Sequence, residues 1–485
     1  MEVSLNIGLL INNTEVPAHS GGTFERRGPL GGTSTHAAAA GVEDAISAAD
    51  AAQTALAGWS AQGPNYRRSL LLAAADAMER RAQAFTDAMA NETGASAGWA
   101  GFNVHLAAAI LREAAALTTM VRGETIPSDR PGCHAMTVRR PAGVVLGIAP
   151  WNAPVILGIR AVATPLACGN TVVLKASEMC PATHRLIGDV FINAGFPPGV
   201  VNVLTNAPQD AGVVVEALIR HPAVRRINFT GSTRVGRIIA GLAAQELKPC
   251  LLELGGKAPM IVLDDADLDA AVAAAGFGAF MNSGQICMST ERIIVHGEVF
   301  DAFVEKLRSR VGALEAGDPR EGRCPLGSVI DASAALRMRD LVDDAVSRGA
   351  VALGSFGKDE TLLSALALVG VTPDMKIYAE ESFGPVTTVI RAADDEEALR
   401  IANDTEYGLT SAVFSQNISR AFAIADRINA GMVHINGATV HDEAQMPFGG
   451  TKASGYGRFG GEAGIAEFTE LKWVTIDTRT PHWPI

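Results

Sequence analysis

The residue with most to say about chemistry is Cys287, set in Asn282-Ser-Gly-Gln-Ile-Cys287-Met-Ser-Thr-Glu-Arg292. Glycine and small polar residues on its N-terminal side let the backbone approach a ligand closely and leave N–H groups to hold an oxyanion, as a nucleophile requires. The bland alternative is a core thiol, which is the reading for Cys133, Cys168, Cys180, Cys250 and Cys324. None of the six stands in a C-x-x-C pair or near clustered histidines, so neither a zinc site nor a disulfide framework is expected. A second constellation is Leu252-Glu253-Leu254-Gly255-Gly256-Lys257, a carboxylate at the end of an apolar run followed by two glycines. Glu253 reads as a general base at a strand end, or as a salt-bridge partner of Lys257. A third is Ala149-Pro150-Trp151-Asn152, where Asn152 could donate to an oxyanion without changing the charge of the site, or merely cap a helix.

Other motifs suit a dinucleotide. No G-x-G-x-x-G is read anywhere along the chain, so the usual fingerprint is expected to be absent. Instead Phe229-Thr-Gly231-Ser232-Thr-Arg-Val-Gly236 follows a strand pattern and opens a helix, offering N–H groups and a positive dipole end to a pyrophosphate. Lys175-Ala-Ser177-Glu178 lies at another strand end, where an adenosine ribose could be held. A glutamate there repels a 2′-phosphate, which favours NAD, with NADP less preferred. Glu381-Ser-Phe383-Gly-Pro385 puts a carboxylate and a ring on one loop, suited to the nicotinamide half. Ile148, Pro150, Trp151 and Leu254 flank the same strand ends and complete the expected cofactor site.

The elements that position these residues follow from periodicity. Residues 43–60, 66–91 and 97–120 carry apolar side chains at helical spacing. Residues 136–141 read as an exposed strand, since two arginines and a proline suit an edge or an arm. From Val144 onward short apolar strands at 144–148, 171–174, 200–204, 226–229 and 250–254 alternate with amphipathic helices, the pattern of a covered parallel sheet. A second alternation places strands at 260–263, 292–295, 386–390 and 432–435. The tail, 471–478, is strand-like again and could pair with the earlier arm.

The ordered set P-W-N, K-A-S-E, F-T-G-S, E-L-G-G-K, G-Q-I-C, E-S-F-G-P, Pro447-Phe448-Gly-Gly450 and Lys452-Ala-Ser454-Gly-Tyr-Gly-Arg458 resembles the aldehyde dehydrogenase superfamily over essentially the whole chain. The resemblance implies an α/β fold with a Rossmann-type cofactor domain (1–122 and 141–253), an α/β catalytic domain (254–440), a junction segment (441–470) and a β-strand oligomerisation arm (123–140 and 471–485). It implies that Cys287 attacks an aldehyde to give a thiohemiacetal and then a thioester, that Asn152 and the Cys287 N–H hold the oxyanion, and that Glu253 activates the hydrolytic water. A homodimer is expected, with a homotetramer as the alternative.

Three local stretches, Gly98-Trp99-Ala-Gly-Phe102-Asn-Val-His105, Asn152 to Arg160 and Asn436 to Met446, resemble the salicylaldehyde/vanillin/benzaldehyde dehydrogenase branch. The expected substrate is accordingly an aromatic aldehyde, against the alternative of a broad or aliphatic specificity. Asn152, Ile156 and Arg160 fall on one face of a helix expected to begin at Pro150-Trp-Asn152, and Arg160 could stack on a ring or donate to a phenolic oxygen. Met281, Ile286 and Met288 give an adaptable apolar wall, and Trp99 and Phe102 an aromatic one, with Phe448 beside them. Trp99 and Phe102 read equally as core, and Arg160 as the partner of an acid. A CoA-acylating relative typically lacks the base that Glu253 supplies, and a non-catalytic one would have lost Cys287 or Asn152.

Bulk properties agree with a globular chain of two or three domains: 485 residues, 48% hydrophobic and 19% charged. A formal net charge of −12 argues against nucleic acid or an anionic membrane as partner. The uncharged run 141–159 is interrupted by Pro150 and Pro154 and reads as strand, turn and helix, so no membrane span is expected. The N-terminus has no basic n-region, and a cytoplasmic location is expected.

Overall fold

The computed structural model describes residues 4–322, 324–357, 359–480 and 483. The extremities of two expected segments, residues 1–3 of the cofactor domain and residues 481, 482, 484 and 485 of the arm, lie outside them.

Two large sheets organise the chain. The body of the first is five parallel strands in the order Cys250–Glu253, Val224–Thr230, Val144–Ile148, Thr171–Lys175, Val201–Leu204. Numbered along the chain this is 5-4-1-2-3, the order of a doubly wound nucleotide-binding sheet. The strands Val144–Ile148 and Thr171–Lys175 are buried at every position, because helices cover both faces, and their runs of Val and Leu answer to that. Register brings the carboxyl ends level: Ile148 lies opposite Lys175 on one side and Phe229 on the other, and Thr230 opposite Glu253. Three of the expected site positions, Ile148, Lys175 and Glu253, thus share one edge of the sheet.

Two antiparallel additions flank that body. Gly455–Tyr456 pairs with Cys250–Glu253, and the hairpin Leu9–Ile11/Thr14–Val16 joins at the far edge. Helical periodicity does not reveal this N-terminal hairpin. Its signal is Asn12-Asn13, both with positive φ (56° and 59°), which make the two-residue turn that strand twist favours.

The second sheet has seven strands, all parallel except Val351–Gly354 at one edge. Beside the four strands expected from sequence it includes Val351–Gly354, Leu366–Val369 and Thr410–Phe414. Two expected helices differ in their limits. The stretch 66–91 is broken into Pro64–Arg80 and Ala82–Thr93 at Arg81, whose φ of −99° and ψ of 12° leave the helical region. The helix expected from Pro150 begins instead at Pro154. Proline pushes the residue before it out of the helical region, and Ala153 accordingly takes φ −135° and ψ 62°.

A third, three-stranded sheet is the arm. Cys133–Pro141 pairs antiparallel with Thr469–Asp477 over nine residues, and Thr125–Ile126 adds on the other side. Each arm strand therefore finds its partner in the other, and Thr469–Asp477 is left as an edge with Leu471, Trp473 and Ile476 exposed. No helix among the described residues is long and apolar enough to cross a membrane.

Candidate active site

Between Val144–Ile148 and Val224–Thr230 the winding of the first sheet reverses, and a crevice opens beyond their carboxyl ends. A cavity of about 480 Å³ fills it, lined by Ile148, Pro150, Trp151, Lys175, Ser177, Glu178, Gly231 and Ser232. It runs into a second, about 350 Å³, walled by Pro150, Trp151, Asn152, Gly231, Ser232, Glu253, Leu254, Cys287, Glu381 and Phe383. A third cavity of about 320 Å³ is lined by Trp99, Phe102, Ile156, Arg160, Met281, Ile286, Met288 and Phe448. Asn152 and Cys287 belong to the second and the third, so they stand where the two meet. Every site residue expected from sequence lines one of these three spaces.

The loop carrying Cys287 is held in a strained shape. Asn282, Ser283 and Gly284 all have positive φ (50°, 55° and 70°), a conformation that costs energy for the two residues bearing side chains. At Gly284 a Cβ would lie 1.9 Å from the Gly384 carbonyl oxygen, so only glycine fits. Hydrogen bonds fix the rest: Gln285 Nε2 donates to the Ser328 carbonyl at 3.2 Å, and Ser289 Oγ to the Gly284 carbonyl at 2.9 Å. Gly256 packs on the nucleophile itself, since a Cβ there would sit 2.4 Å from the Cys287 carbonyl oxygen.

Asn152 does not cap the helix that follows. Its Nδ2 donates to the Gln285 carbonyl at 3.0 Å, which leaves the second N–H of the amide for another acceptor. Its own carbonyl accepts from Trp99 Nε1 at 2.9 Å and Asn282 Nδ2 at 3.0 Å. The Cys287 backbone N–H has no acceptor among the described residues. Two donors at one junction can therefore stabilise an oxyanion on a carbon bonded to the thiol.

Glu253 is buried, and neither carboxylate oxygen has a hydrogen-bond partner among the described residues. Burial raises its pKa to about 7, partly offset by the neighbouring Cys287 thiol and the Arg160 charge. Enclosure, and then the negative charge of Glu253, raise the Cys287 thiol well above its ordinary range. A neutral thiol beside a carboxylate that titrates near neutrality is an arrangement for moving one proton between them. The salt bridge to Lys257 is absent: Lys257 Nζ donates instead to Glu291 at 2.7 Å and to the Glu380 carbonyl at 2.7 Å.

That buried pair shapes the loop at Glu381. Glu291 also accepts from the N–H groups of Ser382 (2.9 Å) and Phe383 (3.0 Å), and Glu381 accepts from the Gly256 N–H at 2.8 Å. Burial lifts the Glu381 pKa to about 7. The Phe383 ring meets Trp151 edge-on with centroids 5.7 Å apart, closing the second cavity. Farther out, Glu178 Oε1 accepts from Lys175 and from Asn206 Nδ2 (3.0 Å), and Ser232 caps the helix Thr233–Gln245. The glycine fingerprint does occur once, as Gly455-Tyr-Gly457-Arg-Phe-Gly460, but on the antiparallel edge strand, away from any parallel strand-to-helix turn.

In the third cavity Trp99 and Phe102 stack with centroids 5.6 Å apart; Trp99 is buried and Phe102 is exposed at the rim. The Arg160 guanidinium lies 4.4 Å over the Phe448 ring, and its Nη2 donates to Asp442 Oδ2 at 2.6 Å. Sequence reasoning anticipated an acid for Arg160 but did not find Asp442. It also missed Thr230 and Arg337 in the second cavity, and His184, whose Nδ1 accepts from the Ser177 N–H (2.9 Å) while its Nε2 meets the Pro154 carbonyl (3.1 Å). Burial drops the His184 pKa to about 3, so it stays neutral and ties the Ser177 loop to the helix bearing Arg160. Thr230 and Asp442 stand inside stretches singled out above without being picked from them, whereas nothing local in sequence marks Arg337 or His184.

A model of the aldehyde dehydrogenase family matches residues 16–474. A vanillin dehydrogenase from a Pseudomonas species (strain HR199) is 59% identical over 481 residues, 99% of this chain and 100% of that one. A salicylaldehyde dehydrogenase from Pseudomonas sp. strain C18 is 51% identical over 478 residues, 98% and 99% of the two chains. Among solved structures, a salicylaldehyde dehydrogenase from Pseudomonas putida G7, complexed with salicylaldehyde, superposes with a TM-score of 0.97 at 50% identity, covering 99% of this chain and 100% of that one.

Proposed function

Because the chain belongs to the aldehyde dehydrogenase family, we propose that it oxidises aromatic aldehydes of the hydroxybenzaldehyde type to carboxylic acids, with NAD+ preferred to NADP+. Family and relatives make it an aldehyde-oxidising enzyme; the ring specificity, the coenzyme preference and the residue roles are our reading. The observation that carries the ring specificity is the third cavity, which brings the stacked Trp99–Phe102 pair, Ile156, Met281 and Phe448 up to Cys287. A planar ring of this size buries itself best between aromatic and flexible apolar walls.

In this reading the aldehyde enters through the third cavity and the coenzyme occupies the first two. The fit of the latter rests on the crevice at the switch point, where Gly231, Ser232 and the start of a helix suit a pyrophosphate and Lys175, Ser177 and Glu178 a ribose. Ile148, Pro150, Trp151 and Leu254 supply apolar walls, and Glu381 and Phe383 enclose the end nearest Cys287. Bound NAD(P)+ supplies the hydride acceptor that converts the thiohemiacetal to the thioester.

Glu253 takes the Cys287 proton, and the thiolate adds to the aldehyde carbon. The Asn152 amide and the Cys287 N–H hold the resulting oxyanion. Once Glu253 has released that proton to solvent, it removes a proton from water, which hydrolyses the thioester, and returns it to the leaving Cys287 sulfur. A carboxyl with a pKa near 7 can accept and return these protons at neutral pH, which an ordinary glutamate does poorly. The edge strand Thr469–Asp477 joins protomers in a homodimer of the cytoplasm, and we keep the cofactor domain at 1–122 and 141–253, the catalytic domain at 254–440 and the junction at 441–470.

The test is a panel of hydroxylated benzaldehydes, benzaldehyde and hexanal, each with NAD+ and with NADP+. The benzaldehydes should give the higher kcat/KM. A faster reaction with hexanal than with any benzaldehyde would overturn the proposal.

A further inference from the structure

Arg160 and Asp442 meet in the wall of the third cavity with complementary capacity unused. The Asp442 side chain is only 7% exposed, and its Oδ2 accepts from Arg160 Nη2. Its Oδ1 is buried and has no hydrogen-bond partner among the described residues. A buried carboxylate oxygen without a donor is costly unless a ligand supplies one. Arg160, for its part, makes a single hydrogen bond among the described residues, so the N–H groups on Nε and Nη1 are also without a protein acceptor. Its position is nonetheless fixed, sandwiched by the rings of Phe448 (4.4 Å) and Phe459 (5.9 Å). Next in the chain, His441 also lines the cavity, but its Nε2 is engaged by Glu443 at 2.9 Å.

We infer that Asp442 and Arg160 recognise a neutral hydroxyl on the aldehyde's ring, Arg160 donating to the hydroxyl oxygen and Asp442 Oδ1 accepting a hydrogen bond from its O–H. This rests on the aromatic reading above and makes Asp442 the specificity-determining residue within it. Few ring substituents both accept and donate. A methoxy group satisfies Arg160 alone, and a bare C–H neither. A ring carboxylate or phenolate also lacks the proton and meets the Asp442 charge. Because Oδ1 is itself buried while Asp442 lines the cavity, the carboxylate must turn toward the ligand to accept. Among the described residues, Asp442 Oδ1 is the one buried side-chain oxygen in this cavity's lining that lacks a donor.

The test compares 2-, 3- and 4-hydroxybenzaldehyde with their methoxy counterparts and with benzaldehyde, in the wild type and in Asp442→Asn. In the wild type at least one ring position should favour hydroxy over methoxy in kcat/KM by roughly tenfold, the scale of one hydrogen bond to a charged group. Asp442→Asn keeps an oxygen for Arg160 but turns an amide N–H toward the ligand, so that ratio should fall to near unity or invert in favour of methoxy. Benzaldehyde reports the chemistry common to all. A wild type with no hydroxy preference at any position would overturn the inference, and this measurement does not depend on the variant folding. An Asp442→Asn enzyme that turns over benzaldehyde yet keeps the wild-type ratio would overturn it as well. Poor activity on every benzaldehyde relative to hexanal would instead remove the aromatic reading on which it rests.

Discussion

Lys257 donates to Glu291 across 2.7 Å of protein interior, and Glu253, four residues before Lys257 on the same run, is left without a hydrogen bond to either oxygen. The two facts belong together. A lysine paired with Glu253 would lower its pKa and hold it ionised, whereas burial without a partner raises it to about 7. The same lysine, placed on Glu291, anchors the loop that brings Glu381 and Phe383 to the second cavity.

Breaking that anchor should be expensive. Lys257→Met leaves Glu291 buried with no cation, and a loss of about 3–5 kcal/mol is expected from the shift in the denaturant midpoint. The KM for NAD+ should rise more than the KM for the aldehyde, because the loop faces the coenzyme side. A loss below ~1 kcal/mol, the range of surface pairs, would show that the pair does not have this role.

Glu253 should leave a signature in stability against pH. Its folded pKa, about 7, lies above the ordinary glutamate value of 4.5, so the folded state holds the proton more tightly than the unfolded chain. Its contribution is then most favourable below about 4.5 and weakens as pH rises to about 7. Glu253→Gln removes this penalty, and the variant should gain on the wild type by ~1–3 kcal/mol between pH 5 and pH 8. A difference that is flat with pH, or that moves the other way, would contradict the raised pKa.

At the outer cavity, Glu178 is held by Lys175 and Asn206. Glu178→Gln removes a charge that repels a 2′-phosphate and releases Lys175 to meet one, so the NADP+/NAD+ ratio of kcat/KM should rise by about tenfold or more. A wild type that already prefers NADP+ would refute the argument.

The arm gives a prediction about assembly. Thr469–Asp477 has a neighbour on one side only and exposes Leu471, Trp473 and Ile476. Light scattering at micromolar concentration should find an oligomer, and Trp473→Asp should shift it toward monomer. A monomeric wild type would exclude the proposed role of the arm.

Much of this architecture could be read from the chain because its signals are local. The apolar strand at 144–148 and the Val-Val-Leu run within 171–175, each followed by a turn, announce a covered parallel sheet, and Cys287, Glu253 and Asn152 stand out by their glycine, proline and small polar neighbours. What escaped depends on distance along the chain. Asp442 is 282 residues from the arginine it pairs with, and Glu291 is 34 from Lys257. The hairpin at residues 9–16 was missed for another reason: its strands are three residues long, too short to show a period, and only Asn12-Asn13 marks the turn. The start of the helix after Asn152 was placed too early because Pro154, rather than Pro150, sets it.

The central claim is that Cys287 forms the thioester and that Glu253, which eases this step, is indispensable for hydrolysing it, and rapid mixing of Glu253→Gln with a hydroxybenzaldehyde and NAD+ tests it most directly. A burst of NADH no larger than the enzyme concentration, with the thioester accumulating on Cys287 and steady turnover reduced by at least about a hundredfold, is the predicted result. Cys287→Ala should give neither burst nor turnover. Wild-type steady-state turnover in Glu253→Gln, or any NADH burst from Cys287→Ala, would contradict the account.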